Sequence, residues 1–220
     1  MSSRIMLSAA LLAVLLLAAV NAAGAAAAEF HCSTTGSCRV TLKPDGTGKT
    51  EHQTFMFTRA LPEEGAESVG FTCTSITGEA TMPESKAKEI TVTGIEYHEC
   101  SSVGLVAAVR MNGCDYLLGA AGQLSIKCPF GKKIEWEAVG CIATVGEQGP
   151  LGGPSFHDAG TTKTELTVQS QTEEKLKGTI VEGCAMKPGE FSAGRITTGN
   201  FILTAEKDNS FGEMVSIWWE

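Results

Sequence analysis

Two groups of side chains have the residue types of a hydrolase. The stretch Gly153-Pro154-Ser155-Phe156-His157-Asp158-Ala159-Gly160 holds a hydroxyl, an imidazole and a carboxylate. A nucleophilic relay needs those groups joined by the fold in a chain of hydrogen bonds, not written side by side. On a strand, Ser155 and His157 face one way and Asp158 the other. The Gly-x-Ser-x-Gly elbow also fails, because His157 stands where its second glycine belongs. The stretch therefore reads as a polar loop. Glu135 and Glu137 flank Trp136 and share a face, as a glycosidase acid pair would. The same spacing is ordinary on the solvated face of a half-buried strand, with Ile134 and Trp136 turned inward. Glu63-Glu64 and Glu173-Glu174 sit among charged neighbours in loop-like or strand-edge segments. Asp45, Asp158 and Asp208 are single turn acids, without the repeated acids of a calcium loop. No phosphate loop or dinucleotide fingerprint occurs. The expectation is a chain without catalytic residues, cofactor or metal.

Aromatic residues carry the strongest binding reading. Trp218 and Trp219 are adjacent near the C-terminus, so one faces the core of a strand-built fold and the other faces away. An exposed tryptophan on a sheet is a platform for stacking a sugar ring. Trp218 and Trp219 are thus the candidate ligand-binding residues, with cell-envelope or environmental polysaccharide as the candidate partner. The competing reading packs the second ring against a loop or the chain end.

The eight cysteines are Cys32, Cys38, Cys73, Cys100, Cys114, Cys128, Cys141 and Cys184. No two have the Cys-x-x-Cys spacing of dithiol redox chemistry or of most zinc knuckles. An even set in an exported chain points to structural disulfides. A hairpin of Val69–Ser75 with Glu89–Tyr97 about a turn at Met82–Lys88 would bring Cys73 near Cys100, and Cys32 and Cys38 are close enough to close a small loop. The other four stay unassigned.

The elements that must position these residues are strands. Threonine (23) is nearly as frequent as glycine (25), which favours strands and turns. Alternating runs predict strands at Cys38–Leu42, Gln53–Thr58, Val69–Ser75, Glu89–Tyr97, Gly104–Met111, Asp115–Leu118 and Gln123–Cys128. Further strands are predicted at Lys133–Glu137, Cys141–Val145, Thr162–Val168, Lys175–Glu182, Asn200–Glu206 and Met214–Trp219. Val103, Leu105, Ala107, Val109 and Met111 are expected to share one face. Asn112-Gly113 is a strong two-residue hairpin signal, because both positions tolerate positive φ. Asp45-Gly46, Pro129–Lys132 and Lys207–Ser210 mark further turns. Ala60–Glu67 and the Gly-rich Gly146–Pro154 read as longer loops. So many short strands imply an all-β fold, a two-layer antiparallel β-sandwich of Greek-key type stapled by disulfides. A four-residue echo, Glu89-Ile90-Thr91-Val92 and Glu165-Leu166-Thr167-Val168, raises two similar halves as a second reading. A single domain over 29–220 is preferred.

Residues 1–28 read differently. Arg4 precedes an apolar run, Ile5–Val20, and small residues Ala22–Ala28, the order of a secretory signal peptide. Cleavage is expected after Ala28, and the apolar run is shorter than the ~20 residues a bilayer crossing needs. No stable membrane anchor is expected. The formal charge is −8, and losing the leader removes one cation and no acid. A net negative surface argues against a nucleic-acid partner, which demands clustered Lys and Arg.

The order Phe30-His31-Cys32…Cys38, Phe71-Thr72-Cys73, Ile90-Thr91-Val92…Tyr97…Cys100 resembles a family of uncharacterised secreted, cysteine-rich actinobacterial proteins. The likeness continues through Met111-Asn112-Gly113-Cys114-Asp115-Tyr116 and Cys128-Pro129-Phe130-Gly131-Lys132-Lys133-Ile134-Glu135. It ends at Cys141, Gly199-Asn200-Phe201 and Ile217-Trp218-Trp219-Glu220. It implies an exported, β-rich, disulfide-bonded protein and brings no activity, ligand or catalytic residue. The expected function is a secreted, non-catalytic interaction or structural module. A carbohydrate-binding module is the first alternative, and a secreted hydrolase the second.

Overall fold

A computed structural model describes residues 28–44, 52–61, 65–159, 165–172, 175–208 and 212–220. Residues 1–27 of the expected leader (1–28), Asp45-Gly46, Glu63-Glu64, Gly160 and Glu173-Glu174 lie outside the described residues. All described regular structure is β: β1 (Phe30–Cys32), β2 (Cys38–Pro44), β3 (Gln53–Leu61), β4 (Gly65–Cys73), β5 (Ser75–Met82), β6 (Lys86–Ala87), β7 (Glu89–His98), β8 (Cys100–Ser102), β9 (Leu105–Arg110) and β10 (Asp115–Gly119). They are followed by β11 (Gln123–Lys127), β12 (Ile134–Ala138), β13 (Cys141–Val145), β14 (Gln148–Gly152), β15 (Pro154–Ala159), β16 (Glu165–Gln171), β17 (Leu176–Glu182), β18 (Gly189–Lys207), β19 (Met214–Val215) and β20 (Ile217–Trp219). Alternation explains these strands. Ile90 and Val92 of β7 are buried between exposed Glu89, Thr91 and Thr93, and Cys141, Ala143 and Val145 of β13 turn inward together.

The two-layer sandwich is overturned. Antiparallel ladders run β3–β4–β8–β9–β12–β13–β17–β18 and return from β18 to β3, closing an eight-strand barrel. The additional strands form a second circuit. It runs β2–β5–β7–β10–β11–β14, passes along the chain through Gly153 into β15, and continues through β16 and β18 back to β2. Apart from β15, which follows β14 within the second circuit, each strand of one circuit continues in the chain as a strand of the other. β4 leads into β5, β7 into β8, β9 into β10, β11 into β12 and β13 into β14, and the 19-residue β18 spans both. The chain therefore runs up and down in eight long antiparallel passes, with the last hydrogen-bonded to the first. Closure removes the exposed edges that two stacked sheets would leave.

The correction has a local cause. Turn chemistry interrupts the passes midway without reversing them. Asn112 and Gly113 do adopt positive φ (53° and 82°), and Cys114 N–H donates to Met111 O at 2.8 Å. Yet β9 and β10 on either side pair with other strands, β9 with β8 and β12, and β10 with β7 and β11. Pro129–Lys132 is the same device, a turn (Lys132 N–H to Pro129 O, 2.9 Å) between β11 and β12. The loops expected at Ala60–Glu67 and Gly146–Pro154 are largely strand: β3 and β4 pair as far as Leu61 and Gly65, and β14 occupies Gln148–Gly152. Strand β5 went unexpected because Ser75–Met82 is interrupted by Gly78. That glycine is required where the chain crowds: a Cβ there would stand 2.7 Å from Val92 Cγ1.

The barrel interior is filled. Trp136, wholly buried, packs against Phe55 and Phe57 (ring centroids 5.0 and 5.1 Å), and Phe57 stacks on Phe191 at 4.7 Å. The second circuit is lined by Leu42, Ile76, Val92, Leu118, Leu124 and Phe201 around a residual cavity of about 50 Å³. Its outer end is capped by a small sheet in which β1 lies between β20 and β6. All eight cysteines are joined: Cys32–Cys38, Cys73–Cys100, Cys114–Cys128 and Cys141–Cys184. The first two are the pairs that proximity suggested. The hairpin expected between Val69–Ser75 and Glu89–Tyr97 is formed instead by β5 with β7 (Ser75 opposite His98), and the cysteines just beyond that ladder still meet. Four intramolecular disulfides are consistent with an oxidising, extracellular setting. No described helix is long and apolar enough to cross a membrane.

Candidate functional site

The cap sheet brings residues 29–32 and 217–220 together at the barrel mouth. Phe30 lies opposite Trp219, His31 opposite Trp218 and Cys32 opposite Ile217, and the backbones of Glu29 and Glu220 exchange hydrogen bonds of 2.7 and 3.2 Å. Ile217 is buried, so Trp219, two residues on, shares its side, and Trp218 takes the other. Trp218 stacks on its cross-strand partner His31 (5.2 Å, 12° between planes), whose Nε2 lies 3.4 Å from Glu220 Oε1. Trp219 turns to the mouth. Its Nε1 donates to Ala120 O at 2.8 Å, and its ring lies 6.2 Å from Phe156. Beside it opens a groove of about 320 Å³, lined by Ala120, Gly122, Ser155, Phe156, His157 and Trp219.

This groove contains residues that sequence spacing singled out, in an arrangement unlike a relay. Residues 154–159 form strand β15, not the expected loop. Ser155 and His157 are both exposed on one face, and Ser155 Oγ donates to Gln169 O at 3.4 Å. Asp158 points to the opposite face, where Oδ1 accepts from the Trp219 backbone N–H at 3.3 Å. The three groups form no chain of hydrogen bonds. What results is a groove with two aromatic rings, Phe156 and Trp219, one hydroxyl and one imidazole.

Glu135 and Glu137 lie on the outer face of β12, remote from the groove. Register places Glu135 opposite Arg110 of β9, and Arg110 Nη1 donates to both carboxylates, at 2.8 Å to Glu135. Those hydrogen bonds, led by the one donated to Glu137, hold the guanidinium above its ordinary range. Both acids are thus engaged as hydrogen-bond acceptors on a shared cation. Among the described residues no group of three or more His, Cys, Asp or Glu is placed to hold a metal.

Sequence reasoning overlooked two polar arrangements. Tyr97 Oη and Tyr116 Oη lie 2.7 Å apart between β7 and β10, and burial pushes both phenols above their ordinary range. Arg59 donates to Glu67 Oε2 and to Lys187 O, each at 2.8 Å, and that guanidinium lowers the Glu67 carboxyl. Neither contact has a sequence signature, because each partner arrives on a different pass of the barrel. The chain matches no family model, no curated protein and no solved structure.

Proposed function

We propose that the protein is a secreted, non-catalytic extracellular module that works by binding on its outer surface. The observation that carries this is the filled lumen. Trp136, Phe55, Phe57 and Phe71 are wholly buried inside the eight-strand barrel, and the cavity among Leu42, Ile76 and Phe201 in the second circuit, about 50 Å³, is far below the roughly 300–1,000 Å³ of a small-molecule pocket. A barrel with a packed interior serves as a rigid support for surface contacts. The four disulfides support extracellular use. The test is turnover of chromogenic esters and glycosides by the wild type and by the pairs Ser155→Ala/His157→Ala and Glu135→Gln/Glu137→Gln. The expected result is no turnover above buffer. Turnover lost in either pair would refute the reading.

A second reading is favoured by the groove at the cap. Trp219, with Ser155 and His157 alongside, offers a ring face and two polar groups to a saccharide. Native gels loaded with polysaccharides test it. Retarded migration, abolished by Trp219→Ala and by His157→Ala but kept in Trp218→Ala, is expected. Unchanged migration across the glycans refutes it.

A further inference from the structure

Among the described residues seven large apolar side chains are markedly exposed, and five of them gather at the end of the barrel opposite the cap: Val103 (85%), Leu105, Val106 (86%), Val139 (81%) and Val181. They come from neighbouring passes. Val103-Gly104 is the two-residue turn between β8 and β9, with Ser102 opposite Leu105. Val139-Gly140 is the turn between β12 and β13, with Ala138 opposite Cys141. Strands β9 and β12 pair with Ala107 opposite Ala138, so Val139 lies level with Val106, the Val103-Gly104 turn projects beyond them on the same hairpin, and β17 brings Val181 next to β13. Below the tips a shallow groove of about 350 Å³ runs over Val106, Ala108, Val139 and Ile142.

Val103 is the wrong residue for its turn. Its φ is +50° and that of Gly104 is +78°, a pair of left-handed conformations that favours Asn-Gly. A β-branched residue there is a conformational outlier. Val103 is also almost fully exposed, so neither backbone preference nor packing explains it. Strain of this kind collects where a surface is used. Contiguous exposed apolar surface marks an interaction site.

Charge identifies the partner. On this face three carboxylates, Glu135, Glu137 and Glu182, accompany one guanidinium, Arg110. The whole chain is also net negative. A second copy would bring the same excess of carboxylates, and an anionic bilayer would be repelled. We propose that this end docks a cationic, apolar protein segment, its aliphatic side chains on the valine tips and its Lys or Arg against Glu137 and Glu182. The proposal rests on the reading of the protein as an interaction module and names a partner class for it.

The test uses the full mature chain with its disulfides formed and fluorescein-labelled synthetic peptides, followed by anisotropy. A short peptide alternating Leu and Lys is expected to bind, more weakly as salt rises. Binding should fall about tenfold or more in Val103→Asn/Val139→Ser and in Glu137→Gln/Glu182→Gln, as for residues at the centre of an interface. Val103→Asn suits its turn better than valine, and urea unfolding of Val103→Asn/Val139→Ser measured alongside separates lost binding from lost fold. Undiminished binding by Val103→Asn/Val139→Ser would mean that charge alone attracts the peptide, and would overturn the proposal. So would equal binding of a Leu/Glu peptide, self-association abolished by the same variant, or cosedimentation with phosphatidylcholine vesicles. The polysaccharide reading concerns the opposite end, so Trp219→Ala leaves peptide binding intact and the two readings fail separately.

Discussion

Tyr97 and Tyr116 are the only tyrosines in the chain, and their hydroxyls share one hydrogen bond of 2.7 Å. Replacing either with Phe strands the other hydroxyl in an apolar setting. A net hydrogen bond is worth about 1 kcal/mol, and a buried group left unpaired costs about 1–3 kcal/mol. Tyr97→Phe and Tyr116→Phe should therefore each destabilise by about 1–3 kcal/mol. The double variant removes both polar groups, keeps both rings, and should cost less than the sum of the two. Urea unfolding with intact disulfides measures all three. The pH dependence follows from burial, which raises both phenols above their usual value of 10.0. The folded state thus holds protons that the unfolded chain releases. The pair's contribution is complete below about pH 10, the unfolded value, and is lost as pH climbs from there toward the folded value. Since no other tyrosine contributes, tyrosinate absorbance reports this pair alone. It should stay silent in the native protein until alkaline unfolding, whereas the denatured chain ionises near its ordinary value. Ionisation of a tyrosine near pH 10 with the circular dichroism unchanged would refute the reasoning, as would a double variant costing at least the sum of the singles.

Disulfide removal should follow loop size. Cys141–Cys184, at a sequence separation of 43, should hold about 4 kcal/mol on chain-entropy grounds, and Cys32–Cys38, at a separation of 6, about 2 kcal/mol. Urea midpoints of the paired Cys→Ala variants give the order, and its reversal would count against a loop-entropy account. Gly178→Ala should destabilise by about 3 kcal/mol, because its Cβ would meet Phe191 Cζ at 2.5 Å and crowd the Thr144 carbonyl oxygen more closely still. Thermal unfolding checks it, and a neutral result would mean that β13 and β17 stand farther apart. Val103→Asn should stabilise by about 1 kcal/mol by relieving the left-handed valine. A loss of stability would show that the exposed valine supports the fold after all.

Much of the β character was legible in the residues. Leu124 and Ile126, or Phe201, Leu203 and Ala205, alternate with a period only a strand can satisfy, and each set is buried. The expected face of Val103, Leu105, Ala107, Val109 and Met111 is only half right. Val109 packs against the core and Met111 is buried in it, whereas Val103 and Leu105 run out beyond the barrel end and stand exposed. Glu135 and Glu137 share a face as spacing required, but nothing in their sequence announces Arg110 between them.

Alternation determines that a strand has one buried face; it says nothing of what that face is buried against. A second sheet and the same sheet curled on itself demand identical patterns, so the sequence carried strands and inward residues while closure into a barrel belonged to the tertiary structure. Turn chemistry is local in the same way. Asn112-Gly113 takes up the backbone angles its residues favour, yet the chain continues onward, whereas Val103-Gly104, with a residue its angles disfavour, is a true hairpin. Whether a turn reverses the chain depends on which strands its flanks pair with, and those partners lie on other passes. The groove at the cap has the same origin. Trp219 reaches Ala120 across 99 residues and Asp158 across 61, distances over which only the folded chain brings side chains together.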